Sequence, residues 1–172
     1  PEWDYSEMGE TWSDPRIFRL PNKGAGDSIV DDDIYVAVMG GGFGTQFSGV
    51  GSNIMVIALE DDDTNNNPPK DLGKLLKVIP IEDTASSDII NSVPASVTLI
   101  TPDKARNAEF RGGLVYASDL EGKITKINLT NLEYDSTINK TGLDMYESTI
   151  LFNAGANKTN GRYMYNALDA AI

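Results

Sequence analysis

The sequence predicts an all-β chain assembled from a repeated antiparallel unit, and three observations predict it. Residues 113–129, GLVYASDLEGKITKINL, spell out a hairpin of two alternating strands around an Asp-Leu-Glu-Gly turn. An earlier stretch, DDIYVAVMGGGFGTQFSGVGSNIMVIALED at 32–61, repeats the pattern of apolar strand, glycine-bearing connection and apolar strand. No segment sustains an apolar period of 3.6 residues, so helices are not expected beyond a short turn at 87–92, SDIINS.

Taken in order, RIFRLP at 16–21 opens the first unit, the hairpin of 32–61 follows, and GKLLKVIPI at 73–81 adds a further strand. In the later hairpin, Leu114, Tyr116 and Ser118 project to one face, and Val115, Ala117 and Asp119 to the other, because successive strand side chains alternate. Gly122 supplies the tight backbone of the turn. Thr125, Ile127 and Leu129 continue an inward stripe, with Lys123, Lys126 and Asn128 expected in water.

Two alignments link the copies. Val36 matches Val115 and Pro15 matches Pro94, both 79 residues apart, whereas Ile57 matches Ile127 and Leu59 matches Leu129, both 70 apart. A longer first turn accounts for the difference. The expected inward set is therefore Ile54 or Val56, Ile57, Leu59, Val115, Ile127 and Leu129.

Four strands per repeated unit is the design of a propeller blade. The chain divides into a lead-in at 1–13, a first blade-like unit at 14–82, a second at 83–159, and the start of another at 160–172. Closed propellers have about 4–8 blades. Two units and part of a third predict an incomplete β-propeller, a fragment whose open sheet edges need the rest of the propeller or another chain to cover them.

Composition narrows the function. Fourteen Lys and Arg against 26 Asp and Glu leave a net charge of −12, which opposes a nucleic-acid groove. The longest apolar run falls well short of the roughly 20 residues of a membrane helix, so this segment is not expected to insert in a membrane. The chain has no cysteine and no histidine, which removes disulfides, thiol catalysis and the commonest general base. Asp and Glu remain as acid–base groups.

Several motifs invite a site and a blander account outweighs each. Asp61-x-Asp63-x-Asn65 in the loop DDDTNNNPPKD at 61–71 resembles the start of a calcium loop. Position six is Asn66 in place of glycine, position nine is Pro69, and position twelve is Leu72 in place of a bidentate Glu. A solvated, mobile acidic loop is the better reading, and no metal, cofactor or catalytic residue is assigned. Asp31 and Asp33 of the Asp31-Asp32-Asp33 run share a face but read as a solvated strand edge. Asp103 and Glu109 in the loop 101–112 are too few to hold a cation. The glycine run 40–51 leads into a strand, not a helix, so it reads as close backbone approach, not a phosphate cradle. Tyr163 and Tyr165, beside Arg162, read as an alternating strand on an apolar core more than as a ligand patch. Trp3 and Trp12 carry the same pair of readings. Asn128, Asn139 and Asn157 head Asn-x-Ser/Thr triplets, acceptors only where secreted chains are glycosylated.

GETWSDPRIF at 9–18, Gly40-Gly41-Gly42-Phe43, VYASDLEGKITKINL at 115–129 and LFNAGANKTNGRYMYNALDAAI at 151–172 together resemble the propeller domain of the PilY/PilC family, from about residue 9 onward. The family position also favours a packed Trp12. The resemblance implies a non-enzymatic part in type IV pilus biogenesis and adhesion, at the pilus tip or the outer-membrane surface, with pilus subunits or a host surface as partners. Some members carry a propeller calcium loop, whose pattern this sequence lacks. The alternative is a fragment of a quinoprotein-like dehydrogenase propeller, since Asp-Leu-x-Gly hairpins occur there too. That chemistry needs a catalytic carboxylate and a basic clamp in one cavity, and neither is recognisable in the sequence.

Overall fold

The computed structural model describes residues 3–20, 33–44, 49–60, 72–81, 91–101, 112–129, 133–135, 140–142, 147–157 and 159–170. All regular structure among them is strand. β1 (Arg16–Leu20), β2 (Ile34–Gly40), β3 (Asn53–Ala58) and β4 (Leu75–Pro80) form one sheet in chain order. β5 (Thr98–Ile100), β6 (Leu114–Ser118), β7 (Lys123–Asn128) and β10 (Glu147–Asn153) form a second sheet in the same meander order. The hairpin of β8 (Glu133–Asp135) and β9 (Lys140–Gly142) is inserted between the third and fourth strands of that second sheet. All pairings among the described strands are antiparallel, and the four-residue β6–β7 turn is short enough to demand it.

The sheets pack face to face through one core. Phe18, Leu20, Val36, Val38, Ile54, Val56 and Ile79 from the first meet Val115, Ala117, Ile127 and Leu129 from the second, with Val93 and Val97 of the linker between. Burying each such aliphatic side chain contributes about 1.5–3 kcal/mol, which makes this seam the main apolar stabilisation. The expected equivalence of the two hairpins holds at the level of strands. Val36 lies in the second strand of its sheet beside Phe18 and Ala58, and Val115 in the second strand of its own beside Leu99 and Ile127. Both valines are fully buried.

The third strands, however, align 69 residues apart and not 70, because Ala58, not Ile57, occupies the place of Ile127. A slip of one residue turns every side chain to the other face. Ile54, Val56 and Ala58 therefore point inward, while Ile57 is only half-buried and Leu59 is exposed. The inward stripe of β7 also begins a residue pair earlier than expected. Lys123 follows the parity of Thr125 and Ile127 and is 1% exposed, although a lysine was expected in water there.

Other expectations divide. Asp33, read as a solvated edge, is buried and paired with Arg19 Nε at 3.4 Å. Trp12 is exposed, because Thr11 and Ser13 on either side turn inward to bond Gly40 at 3.1 and 3.0 Å and alternation leaves the indole outside. Tyr163 and Tyr165 are also exposed, and residues 159–170 form no strand. That segment is held to the second sheet by its carbonyls: Ser118 Oγ donates to Asn166 O at 3.0 Å and Thr98 Oγ1 donates to Leu168 O. The rings, 6.0 Å apart and tilted by 57°, face away. The expected mobile loop at 61–71, Asp31, Asp103, Glu109, Asn139 and the first four residues of the 87–92 turn lie outside the described residues.

Candidate functional site: a polar seam between two hairpins

The glycine-rich hairpin end of the first sheet and the Asp-Leu-Glu-Gly turn of the second meet at the tripeptide Asn91-Ser92-Val93. Val93 forms a rung with the first hairpin, accepting from Gly42 N at 3.0 Å and donating to Gly51 O at 3.0 Å. Ser92 reaches both hairpins. Its Oγ accepts from Gly44 N at 3.2 Å and its carbonyl accepts from Leu120 N at 3.0 Å. Glycine is required on the first side by contact: a Cβ on Gly40 would fall 2.9 Å from Val93 Cγ1 and 3.0 Å from Ala95 O, and closer still to Val93 O.

On the second side the turn 119–122 is built as its sequence predicts. Lys123 N donates to Asp119 Oδ1 at 2.9 Å, Gly122 N donates to Asp119 O at 3.1 Å, and Gly122 adopts φ +78°. A side chain on Gly122 would also strike Arg162 O at 2.6 Å and Ala154 Cβ at 2.8 Å, so the next segment of chain packs against this turn too. Each hairpin end thus receives a later stretch of chain, 91–97 on the first and 154–168 on the second.

Because Val115, Ala117 and Asp119 share a face, and Ile127, Thr125 and Lys123 share it across the ladder, the apolar seam grades into a polar corner. Asp119, Glu121, Lys123 and Asn91 are all buried there. Lys123 Nζ pairs with Glu121 Oε2 at 2.6 Å. Asn91 Nδ2 donates to Glu121 Oε2 and lies 3.4 Å from Asp119 Oδ2. Burial pushes the Asp119 carboxyl from its ordinary 3.8 up to about 6, opposed by the hydrogen bond from Lys123 N and the Lys123 charge, and reinforced by the Glu121 charge. Sequence reasoning assigned Asp119 and Gly122 to the turn but missed Asn91, Glu121 and Lys123. The parity of β7 held the available signal.

A second polar corner lies at the start of β3. Asn53 Nδ2 donates to Glu7 O at 3.0 Å, and its buried Oδ1 meets no hydrogen-bond donor among the described residues. Of the calcium-like loop, Asp61, Asp63, Asn65, Asn66 and Pro69 lie outside the described residues, and Leu72 is an exposed turn residue. Among the described residues no three Asp or Glu side chains gather as a metal-binding group. Asn128 is half-buried in β7, and the Asn157 Oδ1 caps its own turn, accepting from Thr159 N at 2.9 Å and Asn160 N at 3.1 Å. No described helix is long and apolar enough to cross a membrane. Comparison of the chain with protein families, with curated proteins and with solved structures returned no match.

Proposed function

We propose that the chain is a piece of a β-propeller that serves as a structural and interaction module of a type IV pilus protein at the bacterial surface, without catalytic chemistry of its own. The observation that carries the architectural half is the character of the outer faces. A two-sheet sandwich turns polar residues outward along each strand. Here the outer face of the first sheet carries Ile17, Arg19, Tyr35, Ala37, Met39, Met55 and Ile57, with Ala37 and Met55 buried and the β1 end of the face open. That of the second mixes Ile100, Leu114, Tyr116 and Ile124 with Thr98, Ser118, Lys126 and Asn128. Ile17 is 60% exposed and Tyr35 45%. Such faces suit a series of stacked four-stranded sheets in which each is covered on both sides, as blades are. Further sheets of the same design are the partners this reading requires.

The functional half is supported by the ordered PilY/PilC-like motifs in the sequence. Their residues play structural parts: Gly40 admits the linker, and Asp119 and Gly122 close the turn. Deleting the segment from its parent gene tests the reading. Surface pili, twitching or attachment should fall while quinone-dependent oxidation is unchanged, and the reverse pattern would favour the dehydrogenase.

A further inference from the structure

Among the described residues, the buried corner at the second hairpin is unbalanced in charge. Two carboxylates, Asp119 at 1% exposure and Glu121 at 7%, face one ammonium, Lys123 at 1%. Lys123 Nζ lies 2.6 Å from Glu121 Oε2, and the Asn91 amide is shared between both carboxylates. An ionised Asp119 therefore adds an anion in a space where charge is poorly solvated. A protonated Asp119 removes the repulsion with Glu121 and gains an O–H donor.

What this corner holds is the seam. Asn91 is followed directly by Ser92 and Val93, whose bonds to Leu120, Gly44, Gly42 and Gly51 tie the second hairpin to the first. We propose that the corner is a proton-operated latch: a proton taken up by Asp119 tightens the seam between the two sheets, and its release loosens it. This device is independent of the pilus reading and holds for any protein built on the same seam.

Among the described residues the groups around Asp119 are few. Glu121 and Lys123 act on it from its own hairpin, and the linker brings Asn91 and Ser92, which do not titrate. The described residues of the first hairpin, Gly40–Gly44 and Val50–Ser52, are not ionisable. Arg162, whose backbone packs beside Gly122, gives its guanidinium to Ala154 O at 2.7 Å. A carboxyl whose folded value lies above its unfolded one contributes stability below the unfolded value, and that contribution disappears as pH rises through the folded value. The Asp119 contribution to the seam is thus complete below about pH 4 and is lost as pH rises through about 6.

Amide hydrogen exchange by NMR on the full chain tests the latch. Protection factors are read at Leu120, Gly44 and Val93 between about pH 5 and pH 8, with the Asp119 carboxyl carbon followed in parallel. Linkage limits the effect to about a hundredfold, the equivalent of moving the carboxyl from 3.8 to about 6. The expected result is a loss of seam protection of about tenfold across that range, with Asp119 titrating near the same midpoint, and no loss in Asp119→Asn. A carboxyl midpoint below about pH 4.5, unresponsive seam amides in the wild-type chain, or an unchanged pH response in Asp119→Asn would overturn the proposal. The wild-type titration decides even if the variant does not fold.

Discussion

Replacing Gly40 by alanine isolates the contact between units from the ordinary effect of a glycine. Gly40 ends β2 without a positive φ, so its backbone suits alanine, and the change alone would stabilise a strand by roughly 0.5–1 kcal/mol. The added methyl, however, would meet Val93 Cγ1 at 2.9 Å and Ala95 O at 3.0 Å, and would press hardest on Val93 O. Two of these three atoms are backbone, which cannot swing away. The linker must move, and its two rungs to Gly42 and Gly51 stretch beyond 3.0 Å. Two weakened hydrogen bonds cost about 1 kcal/mol each, and overpacking adds about 1–3 kcal/mol. After the backbone gain, the net loss is about 3 kcal/mol. Urea unfolding followed by tryptophan fluorescence measures it as a lower midpoint at unchanged slope. Gly49→Ala is the control. Gly49 has φ +69° but open space around its Cβ, so it should lose only the roughly 1 kcal/mol of left-handed strain. A Gly40→Ala midpoint at or above that of Gly49→Ala would refute the idea that the linker is clamped against the first hairpin.

Three further outcomes follow from the same geometry. Ile54→Ala should cost about 3 kcal/mol by leaving a cavity in the shared core, whereas Leu59→Ala should change stability by less than about 0.5 kcal/mol; equal losses in denaturant melts would contradict the 69-residue register. Lys123→Met should destabilise by about 3 kcal/mol at pH 7 in urea melts, because it leaves buried carboxylates without their cation, and the loss should shrink toward pH 5 as Asp119 takes up its proton. In thermal melts, the difference in stability between wild type and Asp119→Asn should shift in favour of the wild type on acidification from about pH 7 to pH 4, by up to about 3 kcal/mol at about 1.4 kcal/mol per pH unit; a constant difference would show that Asp119 has its ordinary affinity for protons.

The strands were legible because alternation is short-ranged and needs only neighbours in sequence. Val115, Ile127 and Leu129 were placed inward by that rule and lie inward. What alternation cannot supply is the phase at which two distant strands pair. Ile57 outranks Ala58 in hydrophobicity, so matching by residue type chose it, but the register of β3 against β2 puts the smaller alanine in the core. Lys123 was missed for the same kind of reason. A lysine reads as solvated until a buried Glu121 is known to stand 2.6 Å away. Tyr163 and Tyr165 misled in the opposite sense, since their spacing fits a strand while the segment is anchored through main-chain carbonyls. The polar corner depends on Asn91 meeting residues 28 and 30 positions further on, a proximity that no local pattern encodes.

Val93 completes the first hairpin although it precedes the strands of the second sheet. A gene duplication that copied residues 14–82 as a cassette would reproduce four strands without the rung that finishes them. Cutting the chain between the sheets would likewise leave the first with a gap beside Gly42 and Gly51. The unit that can be inherited, swapped or truncated cleanly is therefore out of phase with the sheet: it runs from inside one hairpin's clasp to the next, and viable length changes belong in places such as the β8–β9 insertion, away from the clasp.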